Sequence, residues 1–198
     1  MTVNPQISKS EGIMNKWHIF LAAAFCSIAL ASPAQDTNAL KTNLGLFEVQ
    51  TGTVIVKGFG QIGSMSVGSS VISVRCKEST DASTGHKAQG LAIEIAGGAL
   101  PRERIYVDYD EIDSLLSGIN YLNKITYDVT PLPGFEASYT TKTGLRVAAY
   151  SARKQGGIQT YLQYEDDPRI LLASDQMTQL YGLIELGRNN LNSLRPAK

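Results

Sequence analysis

Residues 102–124 read RERIYVDYDEIDSLLSGINYLNK, and the period of their apolar residues changes partway along. In the first part Ile105 and Val107 alternate with Arg104, Tyr106 and Asp108, the two-residue repeat of a strand covered on one face. Beyond Asp110, residues Ile112, Leu115, Leu116, Ile119 and Leu122 recur at three- and four-residue spacing, the stripe of an amphipathic helix. Asp110 is placed to cap that helix, and Asp113 lies in its first turn, where a negative charge meets the positive pole of the helix dipole. The stretch predicts a strand running into a helix.

Upstream, FEVQTGTVIVKG, SSVISVRCKES and GLAIEIAGG alternate in the same way between Gly-rich joints, so the helix at 110–124 closes a run of antiparallel strands. VTPLPG at 129–134 carries two prolines and a glycine and cannot continue it. The order then returns: FEASYTTK, LRVAAYSARK, GIQTYLQYE and PRILLA, followed by SDQMTQLYGLIELGRNNL with Met177, Leu180, Tyr181, Ile184 and Leu191 on one face. Aligning Asp110 with Asp175 matches Ile112 with Met177, Leu115 with Leu180 and Ile119 with Ile184, an internal repeat. The expectation is an α+β fold of two tandem ββββα units, 46–128 and 135–194, packed as one domain. Each antiparallel four-stranded meander is covered by one C-terminal helix.

A tandem ββββα arrangement over residues 46–194 resembles, in topology alone, the Whirly and PUR single-stranded nucleic-acid-binding folds. That resemblance implies a fold, and by analogy a nucleic-acid partner. Composition points away from one: with 18 basic and 18 acidic residues the chain is neutral, which selects no polyanion.

MNKWHIFLAAAFCSIALA at 14–31 has a basic start, an apolar run and a small-x-small site at Ala29 and Ala31, the layout of a secretory signal peptide. Residues 1–13, ahead of a plausible initiator at Met14, read as a start-site artefact, and Ser32 opens a polar lead-in through 45. The apolar run is too short to span a bilayer, which takes about 20 residues. The expected protein is secreted or periplasmic, in a bacterial envelope or outside it, with no membrane span. Cys26 leaves with the signal, so Cys76 stands alone and shares a strand face with Ile72 and Val74, as a buried thiol does.

Four patterns could carry chemistry. Gly58, Gly60 and Gly63 in VIVKGFGQIGS match the G-x-G-x-x-G dinucleotide fingerprint, but SMSVGSSVISVRC follows where a helix is required. They read as a Gly-rich hairpin turn, and no cofactor is expected. Asp108, Asp110, Glu111 and Asp113 put four carboxylates within six residues, without the glycine or the distal glutamate of a cation loop. They read as a capped helix start, so no metal site is expected. His86 is the one histidine left after export, and no G-x-S-x-G elbow accompanies any serine. Glu94 with Glu103 or Asp108 could still act as a carboxylate pair for hydrolysis.

Alternation leaves the outward sheet faces. With Ile72, Val74, Leu91, Ile93, Ile95, Ile105 and Val107 facing the first helix, Lys57, Arg75, Lys77, Glu94, Arg104 and Tyr106 point outward. In the second half Arg146, Tyr150, Gln159, Tyr161, Gln163 and Arg169 do so. Tyrosines among arginines and amides suit a recognition surface. The expected contact residues are Tyr106, Arg146, Tyr150, Tyr161, Gln163 and Arg169, in a non-enzymatic binding or assembly protein. Its partner would be a protein, a glycan or a second copy; a carboxylate hydrolase and a single-strand binder are the alternatives.

Overall fold

The computed structural model describes residues 41–97, 100–152 and 157–195. The segments read as start-site artefact and signal peptide, and most of the polar lead-in, lie outside them. A short helix α1 (Asn43–Glu48) comes first, then strands β1 (Ile55–Val67), β2 (Ser70–Asp81), β3 (Lys87–Gly97) and β4 (Leu100–Asp108). Helix α2 (Ile112–Asn123) follows after one 3-10 turn. The second half holds β5 (Glu136–Thr140), β6 (Leu145–Ala152), β7 (Gly157–Tyr164), β8 (Ile170–Leu172) and helix α3 (Ser174–Ser193). The strands form two antiparallel meanders, β1-β2-β3-β4 and β5-β6-β7-β8. The fold is α+β with two four-stranded sheets, as the change of period at Asp110 implies.

Each sheet is covered by one helix, and the helix comes from the other half. α3 packs on β1, β2 and β3, while α2 packs on β5 and β6, and the two helices lie against one another. Ile72, Val74, Leu91 and Ile93 are fully buried as expected, but the helix packed on their strands β2 and β3 is α3. The crossing is tight where glycines permit it. A Cβ on Gly187 of α3 would lie 2.7 Å from the Leu91 side chain, and one on Gly118 of α2 would lie 2.8 Å from the Tyr139 ring of β5. The Cys76 thiol donates to the Gly187 carbonyl at 3.2 Å, and burial pushes its pKa up to about 11, so it is an inert core group. Arg188 of α3 pairs with Asp113 of α2 at 2.9 Å. One continuous apolar cluster takes side chains from both sheets and both long helices.

Three local readings are corrected. Gly58, Gly60 and Gly63 do not turn the chain: all three sit inside β1, with a bulge between Gln61 and Gly63. The turn comes later, at Gly68, whose φ of 57° suits a tight hairpin. Phe47 and Glu48 do not open a strand but end α1, whose Thr42 side chain accepts from the Gly45 amide at 3.0 Å. A six-residue helix with a glycine inside has too few turns to show a period. Asp110 makes no cap; it is exposed and pairs with Lys142 at 3.3 Å, while the polypeptide enters α2 through the 3-10 turn Tyr109–Glu111.

Candidate functional site

α1 lies across part of the outward face of the first sheet, with Leu44 packed on Ala92 and Tyr106. This decides which outward residues meet water. Lys77, Glu94 and Tyr106 hold the outward phase that alternation assigns them, yet all three are buried. Between the end of α1 and the 74 % exposed Phe59 of the edge strand, the face sinks into a cavity of about 260 Å³. Lys57, Arg75, Lys77, Ala92, Glu94 and Arg104 line it from the sheet, and Glu48 closes it from α1.

Its charges form two groups, each built on one nearly buried carboxylate. Glu48 takes Lys77 at 2.5 Å, Lys57 at 3.5 Å, the Ser79 hydroxyl at 3.0 Å and the Tyr106 hydroxyl at 3.2 Å. Burial raises the Glu48 pKa, but the Lys77 hydrogen bond and charge, with Ser79 and Lys57, outweigh it and hold the carboxyl below its ordinary value. Lys77 also donates to Tyr106 at 2.9 Å, with its ammonium 4.5 Å from that ring. The second carboxylate, Glu94, lies between Arg104 at 3.0 Å and Arg75 at 3.4 Å, both on the same oxygen. Arg75 turns its Nε to Gln61 at 2.8 Å. For Arg104, burial works against the charged form, but Tyr106 and Glu94 more than compensate and raise its pKa.

The outward face of the second sheet is built differently. Arg146 pairs across the strands with Gln163 and is exposed, whereas Gln163 is half-buried and donates to the Asp167 carbonyl at 2.9 Å. Tyr150 is half-buried, its hydroxyl donating to Gln159 at 2.7 Å. Tyr161, expected at the surface, is fully buried: its ring meets Tyr150 and lies under Arg169, and its hydroxyl donates to Glu136 at 3.1 Å. The exposed Arg169 also reaches Glu136 at 3.8 Å. These side chains mainly satisfy one another.

The acidic cluster divides into separate structural tasks. Asp108 accepts from the amides of Asn43 and Leu44 at 2.8 and 3.0 Å, so it anchors the first turn of α1 with both of its oxygens. Glu111 is buried and accepts from the Lys142 amide at 2.7 Å, while its other oxygen has no hydrogen-bond partner. Burial raises its pKa; Lys142 opposes, and Asp108 and Asp110 add to the rise. Asp113 belongs to Arg188. No group of three or more His, Cys, Asp or Glu among the described residues could hold a metal ion. His86 packs against the Phe47 ring at 5.6 Å.

Glu48 and Phe59 are the site residues that sequence reasoning missed. Glu48 was hidden in a helix too short to recognise. Phe59 stands between two glycines of a strand read as a turn, although its outward phase with Lys57 and Gln61 was there to be counted. No helix among the described residues is long and apolar enough to cross a membrane. No family model, no curated protein and no solved structure matches this chain.

Proposed function

We propose that this is an exported binding protein without chemistry of its own, whose contact surface is the outward groove of the first sheet. One observation carries the reading: this sheet face is concave and part-open, with fixed charges and an exposed aromatic ring beside them. Phe59, at 74 % exposure, stands at the rim of this cavity, where a bound molecule would cover its ring. The floor is ordered in advance, since Lys77, Tyr106, Glu48 and Ser79 hold one another, so binding would cost little further ordering. The second sheet contributes less, because its tyrosines and Arg169 are spent on each other. Of the carboxylates offered for hydrolysis, Asp108 is engaged on α1 and Glu94 on two arginines, while the Glu103 side chain lies outside the described residues.

A fragment screen by amide chemical shift tests this. Hits should move the signals of Lys57, Phe59, Arg75 and Arg104 together and leave the 145–172 face still. Hits gathered on the second sheet, or turnover of chromogenic esters that is lost in Asp108→Asn, would overturn it.

A further inference from the structure

We infer that the groove takes a small organic oxyanion, its charged group held at Arg75 and Arg104 and its apolar body lying on Phe59; this rests on the groove being the binding surface. The charge arithmetic comes first. Four cations line the cavity against two carboxylates, a local excess of two positive charges in a chain whose 18 basic and 18 acidic residues balance overall. The excess also faces outward. Glu94 keeps 3 % of its side chain exposed and Glu48 10 %, while Arg75 keeps 33 %, Lys57 44 % and Arg104 52 %. The carboxylates and Lys77 form the floor, while Lys57, Arg75 and Arg104 form the walls, so an entering molecule meets positive charge.

Convergence comes next. Arg75 and Arg104 approach a single oxygen of Glu94, which brings two guanidiniums side by side over one negative charge. A guanidinium has five donors in a planar fork, and one carboxylate oxygen cannot use those of both. A second oxyanion placed on the exposed side of the two guanidiniums would add charge-assisted hydrogen bonds and would offset the repulsion between the two cations. A carboxylate and a phosphate group share this chemistry.

Size and shape exclude a polymer as the primary ligand. The cavity of about 260 Å³ is at the small end for a ligand site and takes a molecule of one ring and one charged group. A chain of zero net charge adds no long-range attraction for a polyanion beyond the groove itself. Phe59 supplies the apolar wall, standing on the same face as Lys57 and Gln61 and directly across from Lys77.

Isothermal titration of the folded chain with benzoate, phenyl phosphate, inorganic phosphate and neutral benzyl alcohol decides the matter. Benzoate or phenyl phosphate should bind, with whichever binds tighter naming the oxyanion, and benzyl alcohol should bind at least tenfold more weakly. Arg104→Gln should weaken the aromatic anions about tenfold, the loss of one charge-assisted contact. Phe59→Ala, at an exposed position that folding does not depend on, should reduce phenyl phosphate to the affinity of inorganic phosphate. Equal binding of benzyl alcohol and benzoate would sink the oxyanion and leave the groove as a binding surface. If all four probes fail to bind at about 10 mM while screened fragments still collect in the groove, the inference again falls alone. If neither probes nor fragments settle there, it falls together with the function proposed above.

Discussion

The Arg169 guanidinium lies 4.3 Å above the centroid of the Tyr161 ring, and between that cation and the sheet the ring has no contact with water. Outward phase on a strand therefore does not mean solvent here. Tyr161→Ala should cost about 3 to 5 kcal/mol, as large aromatic truncations do, whereas Tyr150→Ala, half-buried, should cost about 1 to 2. Urea melts compare the two. A Tyr161→Ala loss no larger than that of Tyr150→Ala would show that the Arg169 stack leaves the ring unpacked.

Helix crossing makes a paired prediction at two helical glycines. Gly118→Ala places a Cβ within 2.9 Å of three Tyr139 atoms, one of them Cβ, which cannot swing aside. The clash should outweigh the gain in helix propensity and lower stability by about 1 to 3 kcal/mol. Gly182→Ala on α3 has nothing within 4 Å and should raise stability by about 0.5 to 1 kcal/mol. Thermal melts of the two variants should move in opposite directions. A stabilised Gly118→Ala would mean α2 does not press on β5.

Asp108 and Asp110 should behave unlike one another. Asp108→Ala leaves two amide groups of α1 without their acceptor and should cost about 2 kcal/mol. Asp110→Ala removes only an exposed pair with Lys142 and should cost under about 1 kcal/mol. Neither wild type nor variant should gain melting temperature from calcium. A calcium-dependent rise that either substitution abolishes would restore the metal reading.

Glu111 gives a pH prediction whose sign follows from its raised pKa. The folded state holds the Glu111 proton more tightly than the unfolded state does, so the ionised form costs stability above the raised folded value. That cost disappears as pH falls through the folded value toward the ordinary one of about 4.3. Glu111→Gln keeps an oxygen for the Lys142 amide and removes the charge. Its stability relative to wild type should be greatest at neutral pH and shrink as the solution is acidified to about pH 4. Glu48, Glu78 and Asp81 all have lowered pKa values and lose stability on acidification, but they do so equally in both proteins. A difference that stays flat with pH would show Glu111 to be solvated in the folded state.

Strand and long-helix positions were legible because their signal is local. Ile112, Leu115 and Ile119, and their partners Met177, Leu180 and Ile184, are all buried, as the two helical stripes require. Period also identified the inner faces of β2, β3 and β6. It could not say which helix would cover which sheet, since Gly187 against Leu91 and Gly118 against Tyr139 are long-range pairings that leave no period in either segment. Nor could it say that α1 would fold over Tyr106. The groove depends on that helix, so the outward residues of the first sheet were right in phase and wrong in depth, while the outward tyrosines and Arg169 of the second sheet bind one another.

Crossed helices also set a timetable for folding. The inner face of the first sheet is made early in synthesis, but its cover is α3, and the Cys76–Gly187 contact closes a separation of 111 residues. Contacts that distant form slowly and only once the C-terminal helix has left the ribosome. Until then Ile72, Val74 and Leu91 stay uncovered and the chain remains open to chaperones. Were residues 14–31 to direct export, as their layout leads one to expect, that delay would suit translocation of an unfolded chain. Nascent chains stalled before residue 174 emerges should stay protease-sensitive throughout, while release of the complete chain should bring both sheets to protection in one step.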